Sequence, residues 1–433
     1  MKTAPNKAPL IVLLFCLVVL PLAAQTGKFY STNNELSSSL INQIFQDKRG
    51  FIWIATEYGL NRFDGLRFSN YKHMSGDSTS IKNNYVRTLY EDSRQNLLVG
   101  CIDGLMKYDS ETDTFREIPM IRAGKQVFPH VTQMQKLHNG EIWAVTTGQG
   151  IFRLDEEKQQ AVSIDAIMKQ VNYNFQSNLY EDSDYNIWIG TEGHGLICYL
   201  PATQEVRIFR YPAINDNYVS AIGEDKYGNL FIGTQKHGLS RYDREQNRFV
   251  PVPYTGSEEL SIYCLTLVDD HLLIGTDGQG LKTYNRMTGK IEDYSINSAP
   301  LDFSEGKIHA ILEDRDKNLW VGLFQKGIVL IPKQENPFEY YGNKSIYYNP
   351  IGQGCVMSIY QDSNHHLWVG ADNEGVFELD AEGRRLRHYQ PGNNPRSMAN
   401  TIMCMYEDTN GDFWLGSYTR GLAKLNRITG GPA

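Results

Sequence analysis

At the head of one repeated turn an acid or amide stands directly before an aspartate seven times: Gln46-Asp47, Glu91-Asp92, Glu181-Asp182, Glu224-Asp225, Glu313-Asp314, Gln361-Asp362 and Glu407-Asp408. Adjacent carboxylates are the raw material of general acid–base catalysis. Here each pair heads a polar surface turn between two apolar runs, where an aspartate caps amides of its own turn. Seven copies spread over the chain cannot meet at one substrate, so the structural reading is preferred. Asp408-Thr-Asn-Gly-Asp412 resembles a calcium loop, but its glycine comes too early and the distal glutamate is missing. Gly-x-x-Trp at Gly50–Trp53 and Gly411–Trp414 has the spacing of a sialidase-like hairpin, without the Ser-x-Asp that should precede it. Beyond residue 24 there are five cysteines, Cys101, Cys198, Cys264, Cys355 and Cys404, with no CxxC and no metal spacing. An odd, scattered set is no disulfide framework. Buried, small apolar thiols are expected. The reading is therefore no catalytic residue, no metal and no cofactor.

What positions these residues is a repeat. All six tryptophans (Trp53, Trp143, Trp188, Trp320, Trp368 and Trp414) occupy one position of a nine-fold motif, and Leu98, Phe231 and Leu273 fill the other copies. The steps between them are 45, 45, 45, 43, 42, 47, 48 and 46 residues. A glycine before an apolar residue follows each, from Gly59-Leu60 to Gly421-Leu422. A period in the forties signals a repeat array. The second copy shows the unit: alternating Val86–Tyr90, a polar turn, buried Leu97–Val99, then Leu105–Tyr108 and Thr114–Ile118. Four antiparallel strands with tight turns make one blade of a β-propeller. The tryptophans are expected to fill the wedge between stacked blades, since an aromatic covers roughly 150–250 Å².

Propellers typically have 4–8 blades, so nine units exceed one ring. The step after copy seven is the longest and carries Pro332, Pro337 and Pro350. The fold expected is all-β: a seven-bladed β-propeller of four-stranded antiparallel blades over residues 27–333, then two blades of an incomplete second propeller over 334–433. Gly27–Ser31 is a candidate spare strand to close the first ring. Residues 1–24 read as a signal peptide: Lys2 and Lys7, an apolar run from Leu10 to Leu20, and Leu22-Ala23-Ala24. The net charge of −8, with both signs interspersed, lacks the basic patch of a nucleic-acid binder.

Candidate ligand residues come from the loops between second and third strands, which vary while the strands repeat. Tyr58 and Phe324 can stack on a sugar ring. His194, Gln235, Lys236, His237, Gln279, Gln325 and Lys326 can hydrogen-bond its hydroxyls or an acidic group.

Leu36–Ile44 followed by Gln46–Asp64, with Ile187–Thr191, Leu367–Gly370 and Phe413–Gly416, resembles the two-component regulator propeller repeat. The resemblance implies the exported, periplasmic sensor region of a Bacteroidetes hybrid two-component system, whose parent is a homodimer anchored in the inner membrane by a downstream span. It implies glycan-derived oligosaccharides as ligands and control of polysaccharide-utilisation genes. No phosphoacceptor-histidine box or glycine-rich ATP lid occurs in these 433 residues, so no kinase chemistry is expected of them. The competing readings are a protein-interaction scaffold and a glycan hydrolase or lyase.

Overall fold

The computed structural model describes residues 27–34, 36–256, 259–294, 303–333, 341–342, 349–392, 398–426 and 431–432. The expected signal peptide and most of the proline-bearing joint, 334–340 and 343–348, lie outside the described residues. Among the described residues nine sheets follow one another, eight antiparallel of four strands and one of six in which Met120–Arg122 pairs parallel with Gln160–Ser163. The larger sheet is blade 3, to which Met120–Arg122 and Lys125–Val127 add an outer hairpin. A short helix, Asp165–Val171, leads from blade 3 to blade 4 and buries Ile167, Met168 and Val171. The repeat pattern signalled neither insertion.

The innermost strands of the first seven blades are Ile41–Gln46, Val86–Glu91, His130–Lys136, Gln176–Glu181, Val219–Glu224, Ile262–Val268 and Ile308–Glu313. Each packs on the next, and the seventh packs on the first, so the blades form a closed ring. Lys28–Tyr30 closes it by pairing antiparallel with Ile328–Leu330 as the outer strand of blade 7, which removes an open sheet edge. Blades 8 and 9 pack on each other in the same manner. Among the described residues no helix is long and apolar enough to cross a membrane.

The repeated acid pair has two jobs. Its aspartate does lie at a turn, but in every copy except Asp408 the residue is buried beneath it and not solvated as a surface turn suggests. Asp47 Oδ1 accepts from the amides of Arg49 and Phe51, while Oδ2 accepts from Trp53 Nε1 at 2.8 Å. The same indole bond joins Asp182 to Trp188, Asp314 to Trp320, Asp362 to Trp368 and Asp408 to Trp414. The tryptophan thus fills the wedge and satisfies a buried carboxylate. The preceding residue of the pair latches neighbouring blades. Glu91 accepts from Lys48 N, Glu224 from Ser183 N and Glu407 from Ser363 N. At the ring closure Gln46 Oε1 accepts from Arg315 N at 2.8 Å.

The glycine near the end of the second strand makes room for the next blade. A Cβ on Gly233 would lie 2.4 Å from Ile262 Cγ2, and one on Gly322 would lie 2.9 Å from Ile41 Cγ2. Without a side chain there, the first residue of each neighbouring inner strand seats against the sheet. Cys101 and Cys198 are buried as expected, but Cys355 and Cys404 are exposed. The inner strands of blades 8 and 9 leave one face open, with Val356 and Ile359 43% and 64% exposed.

Candidate functional site

Every inner strand of the ring carries a β-bulge one residue after its first buried position. A bulge re-aims one side chain out of the ladder and recurs beside functional sites. The bulged residues are Asn42, Arg87, Thr132, Ser177, Ser220, Tyr263 and His309, one per blade around the central channel. Four of them stitch blades together. Asn42 Nδ2 donates to Val86 O, Thr132 Oγ1 to Gln176 O, Ser177 Oγ to Val219 O and Ser220 Oγ to Ile262 O, at 2.5–2.9 Å. Arg87, Tyr263 and His309 are larger and do something else.

Arg87 Nη1 donates to Tyr263 Oη at 2.9 Å and to Asn42 Oδ1 at 3.3 Å. The first bond links blade 2 to blade 6, which are not neighbours, and so crosses the channel. His309 lies flat on Tyr263, with ring centroids 3.6 Å apart and planes at 3°, and Phe324 covers it at 4.4 Å. Its Nε2 is 3.4 Å from Asp277 Oδ1. Burial pushes the His309 imidazole down to about 4 despite that carboxylate, and burial together with Arg87 does the same for His130. Both rings are therefore neutral at pH 7. His130 packs edge-on against Tyr85 at 5.7 Å. Burial is also the largest influence on Arg87 and works against its charge, yet the guanidinium is held above its ordinary value by Tyr263, Tyr85 and Glu192.

The loops between second and third strands open beside these bulges. Glu57 N donates to Leu40 O, Ile102 N to Tyr85 O, Glu192 N to Phe175 O, Gln235 N to Tyr218 O, Asp277 N to Ser261 O and Phe324 N to Lys307 O. In six of the seven blades the first residue of the loop is thereby tied to the residue entering its own inner strand, on the bulge side of the ring. The threonine of Gly-Thr shapes the loop tip. Thr191, Thr234 and Thr276 donate to the carbonyls of Gly195, Gly238 and Gly280, and accept from the amides of His194, His237 and Gln279. Thr56 holds Gly59 and Tyr58 in the same way.

The candidate residues divide by place. Phe324 and Gln235 stand at first loop positions, nearest the inner strands. Tyr58, His194, Lys236, His237, Gln279, Gln325 and Lys326 stand at hairpin tips, one strand further from the axis. Tyr58 is 55% exposed, with Lys72 Nζ 4.6 Å from its ring centre. His194 stacks on Tyr173 at 4.2 Å, and His237 Nδ1 is 3.2 Å from Asp216. Gln279 spends its amide on Glu259 O and Ser261 N. Lys236, Gln325 and Lys326 are exposed. Exposed Phe128, Phe175, Tyr211 and Tyr218 border inner-strand entries on this face.

Sequence reasoning passed over Arg87, His130, Tyr263 and His309. For all but His130 a signal existed: in six of the ring's seven copies a polar or charged residue follows the first apolar residue of the inner strand, as in Val86-Arg87, Ile262-Tyr263 and Ile308-His309. As to metals, Asp362, His366 and Glu378 bring ligand atoms together, but Asp362 is committed to Trp368 and two turn amides like its counterparts. His366 takes the place that Asn186 and Asn318 take in blades 4 and 7. Asp408 is likewise committed, to the amides of Asn410 and Asp412 and to Trp414.

Residues 35–58, 170–193, 213–236, 302–325, 350–373 and 397–419 match the family model described as two component regulator propeller. Over 74 residues the chain is 40% identical to Histidine kinase P4 of Formosa agariphila, which is 16% of this chain and 5% of that protein. It is similar to the solved extracellular domain assigned to a hybrid two component system of B. thetaiotaomicron, at 25% identity and a TM-score of 0.62. That alignment covers 93% of this chain and 54% of the solved one, so the chain spans about half of that ectodomain. A virginiamycin B lyase from Staphylococcus aureus aligns over 71% of this chain and 100% of its own, at 12% identity and a TM-score of 0.52. At that identity the likeness is one of fold.

Proposed function

The chain belongs to the two-component regulator propeller family, and from that premise we propose that it is the ligand-sensing, exported region of a two-component signalling receptor. On this reading it lies in the periplasm of a cell whose parent protein is anchored in the inner membrane and acts as a homodimer. It detects oligosaccharides released from glycans and thereby controls genes for polysaccharide use. Residues 27–333 form the sensing ring, and residues 334–433 are blades of a second propeller.

The observation that carries the reading is the single rigid face on which seven bulged side chains and seven variable loops meet. A sugar needs flat aromatic surface, neutral hydrogen-bonding groups and loops held in place. Tyr263, His309 and Phe324 offer the first, and the threonine-locked loops offer the last. The enzyme reading is weaker, because the repeated carboxylates that suggest catalysis are spent on indoles and turn amides.

Thermal unfolding and calorimetry of the purified chain against a panel of oligosaccharides test this. Saturable binding of one class, with that sugar recovered intact, is expected. Turnover of a bound sugar defeats the reading in favour of an enzyme; no binding across plant, algal and animal glycan fragments favours a protein-docking scaffold.

A further inference from the structure

We propose that the mouth of the ring takes an acidic ligand, a sugar bearing a carboxylate or sulfate, with Arg87 as the group that holds the anion. This rests on the sensing reading above and narrows it to a chemical class.

The first ground is a guanidinium without a counter-ion. Among the described residues, Arg87 bonds only to the neutral Tyr263 Oη and Asn42 Oδ1, and it takes part in no ion pair. A cation drawn into a protein interior is costly unless it meets an opposite charge. Elsewhere this fold supplies one: Arg244, at the junction of blades 4 and 5, is met by Asp182, Asp184 and Glu224. Glu192 acts on Arg87 only from a distance. Arginine's planar fork suits carboxylate and sulfate oxygens, and one of its nitrogens is already positioned by Tyr263.

The second ground is independent. His309 is 7% exposed, yet among the described residues its Nδ1 has no hydrogen-bond partner, and His130 Nε2 is buried in the same condition. Buried polar atoms in native folds are nearly always satisfied, and the described residues leave these two nitrogens at the mouth without a partner. Both imidazoles are neutral, which suits hydroxyls. The parallel stack of Tyr263, His309 and Phe324 adds an aromatic wall on which the flat face of a pyranose can rest. One anion, several hydroxyls and one flat face describe an acidic sugar.

Two probes test it. The first is sodium sulfate against sodium chloride at matched ionic strength, read as the rise in unfolding temperature. Sulfate also stabilises proteins generally by exclusion, so the comparison is between the parent and Arg87→Gln. A saturable, parent-only increment is expected. The second is calorimetry with digalacturonic acid, a sulfated disaccharide and neutral cellobiose, which separates carboxylate from sulfate. At least one acidic sugar is expected to bind ten-fold or more tighter than cellobiose, and to lose at least ten-fold in Arg87→Gln, with partial rescue in Arg87→Lys. If Arg87→Gln does not fold, Tyr263→Phe replaces it, with a several-fold loss expected. An identical sulfate response in parent and variant, or neutral sugar bound as tightly in both, overturns the proposal. A parent-only sulfate response with no sugar bound at all keeps the anion site and defeats the sensing of glycans.

Discussion

Arg87 and Tyr263 stand 176 residues apart in sequence and meet across the channel, Nη1 to Oη at 2.9 Å. Because blades 2 and 6 are not neighbours, this bond braces the ring at its mouth. Tyr263→Phe removes it while preserving the stack on His309. A hydrogen bond to a charged group contributes about 1.5–3 kcal/mol, so chemical denaturation should show a loss of that order. An unchanged midpoint would show that Arg87 finds other partners and that the brace is incidental.

Acid should loosen the mouth before it loosens the blades. His309 and His130 are held near 4 in the folded chain, against about 6.5 when unfolded. Below 6.5 the unfolded chain takes up protons that the folded one refuses, so stability is complete above 6.5 and is lost as pH falls through about 4. At pH 5 the cost for His309 is about 2 kcal/mol. Depressed carboxylates such as Asp362 and Asp408 lose their contribution at lower pH, which separates the two effects. The unfolding temperature should fall between pH 7.5 and pH 5, and the double variant His130→Gln, His309→Gln should flatten that fall. Equal slopes in both proteins would contradict it.

The wedge tryptophans should be costly to remove and cheaper to trim. Trp188 is 1% exposed and donates to buried Asp182. Trp188→Ala should cost about 3–5 kcal/mol. Trp188→Phe keeps most of the volume and loses the indole bond, at a smaller cost of about 1–3 kcal/mol from the acceptor it abandons. The ordering is read by urea unfolding; an alanine variant no weaker than the phenylalanine one would refute the wedge.

Gly233→Ala should drive its new methyl into Ile262, 2.4 Å away. Overpacking of this kind costs about 1–3 kcal/mol. Ile262→Ala should offset part of it in a double-mutant cycle, giving a coupling of about 0.5–3 kcal/mol. Strict additivity would show that the two residues do not compete for one space.

The regular step of the six tryptophans, with Leu98, Phe231 and Leu273 filling the other copies, made blade count and ring legible, because blade packing demands a large residue at one position of each unit. The buried aspartates were half legible: their turns read correctly, but their indole partners lie six residues on in space-filling positions that invite no polar reading. Blade 3's extra hairpin and the helix at Asp165–Val171 were invisible, since insertions in loops leave the period almost intact. The loop candidates followed from variability, and the structure places Phe324 beside His309. Arg87 and Tyr263 escaped because a bulge, which turns a strand residue towards the channel, leaves no mark in a two-residue alternation.

Loop tips and mouth should separate in their effects. Tyr58, Lys236 and His237 are exposed, so Tyr58→Ala, Lys236→Ala and His237→Ala should shift stability by no more than about 0.5 kcal/mol. Each should nonetheless weaken binding of the sugar found in the panel. If all three bind as the parent does, the loop tips lie outside the site.

Hydrogen–deuterium exchange, with and without that sugar, tests the central claim most directly. Protection is predicted in peptides covering residues 57–58, 85–87, 128–132, 235–237, 261–264, 307–309 and 324–326, with little change elsewhere in the ring. Protection confined to residues 350–426 would place the ligand on blades 8 and 9 and contradict the account.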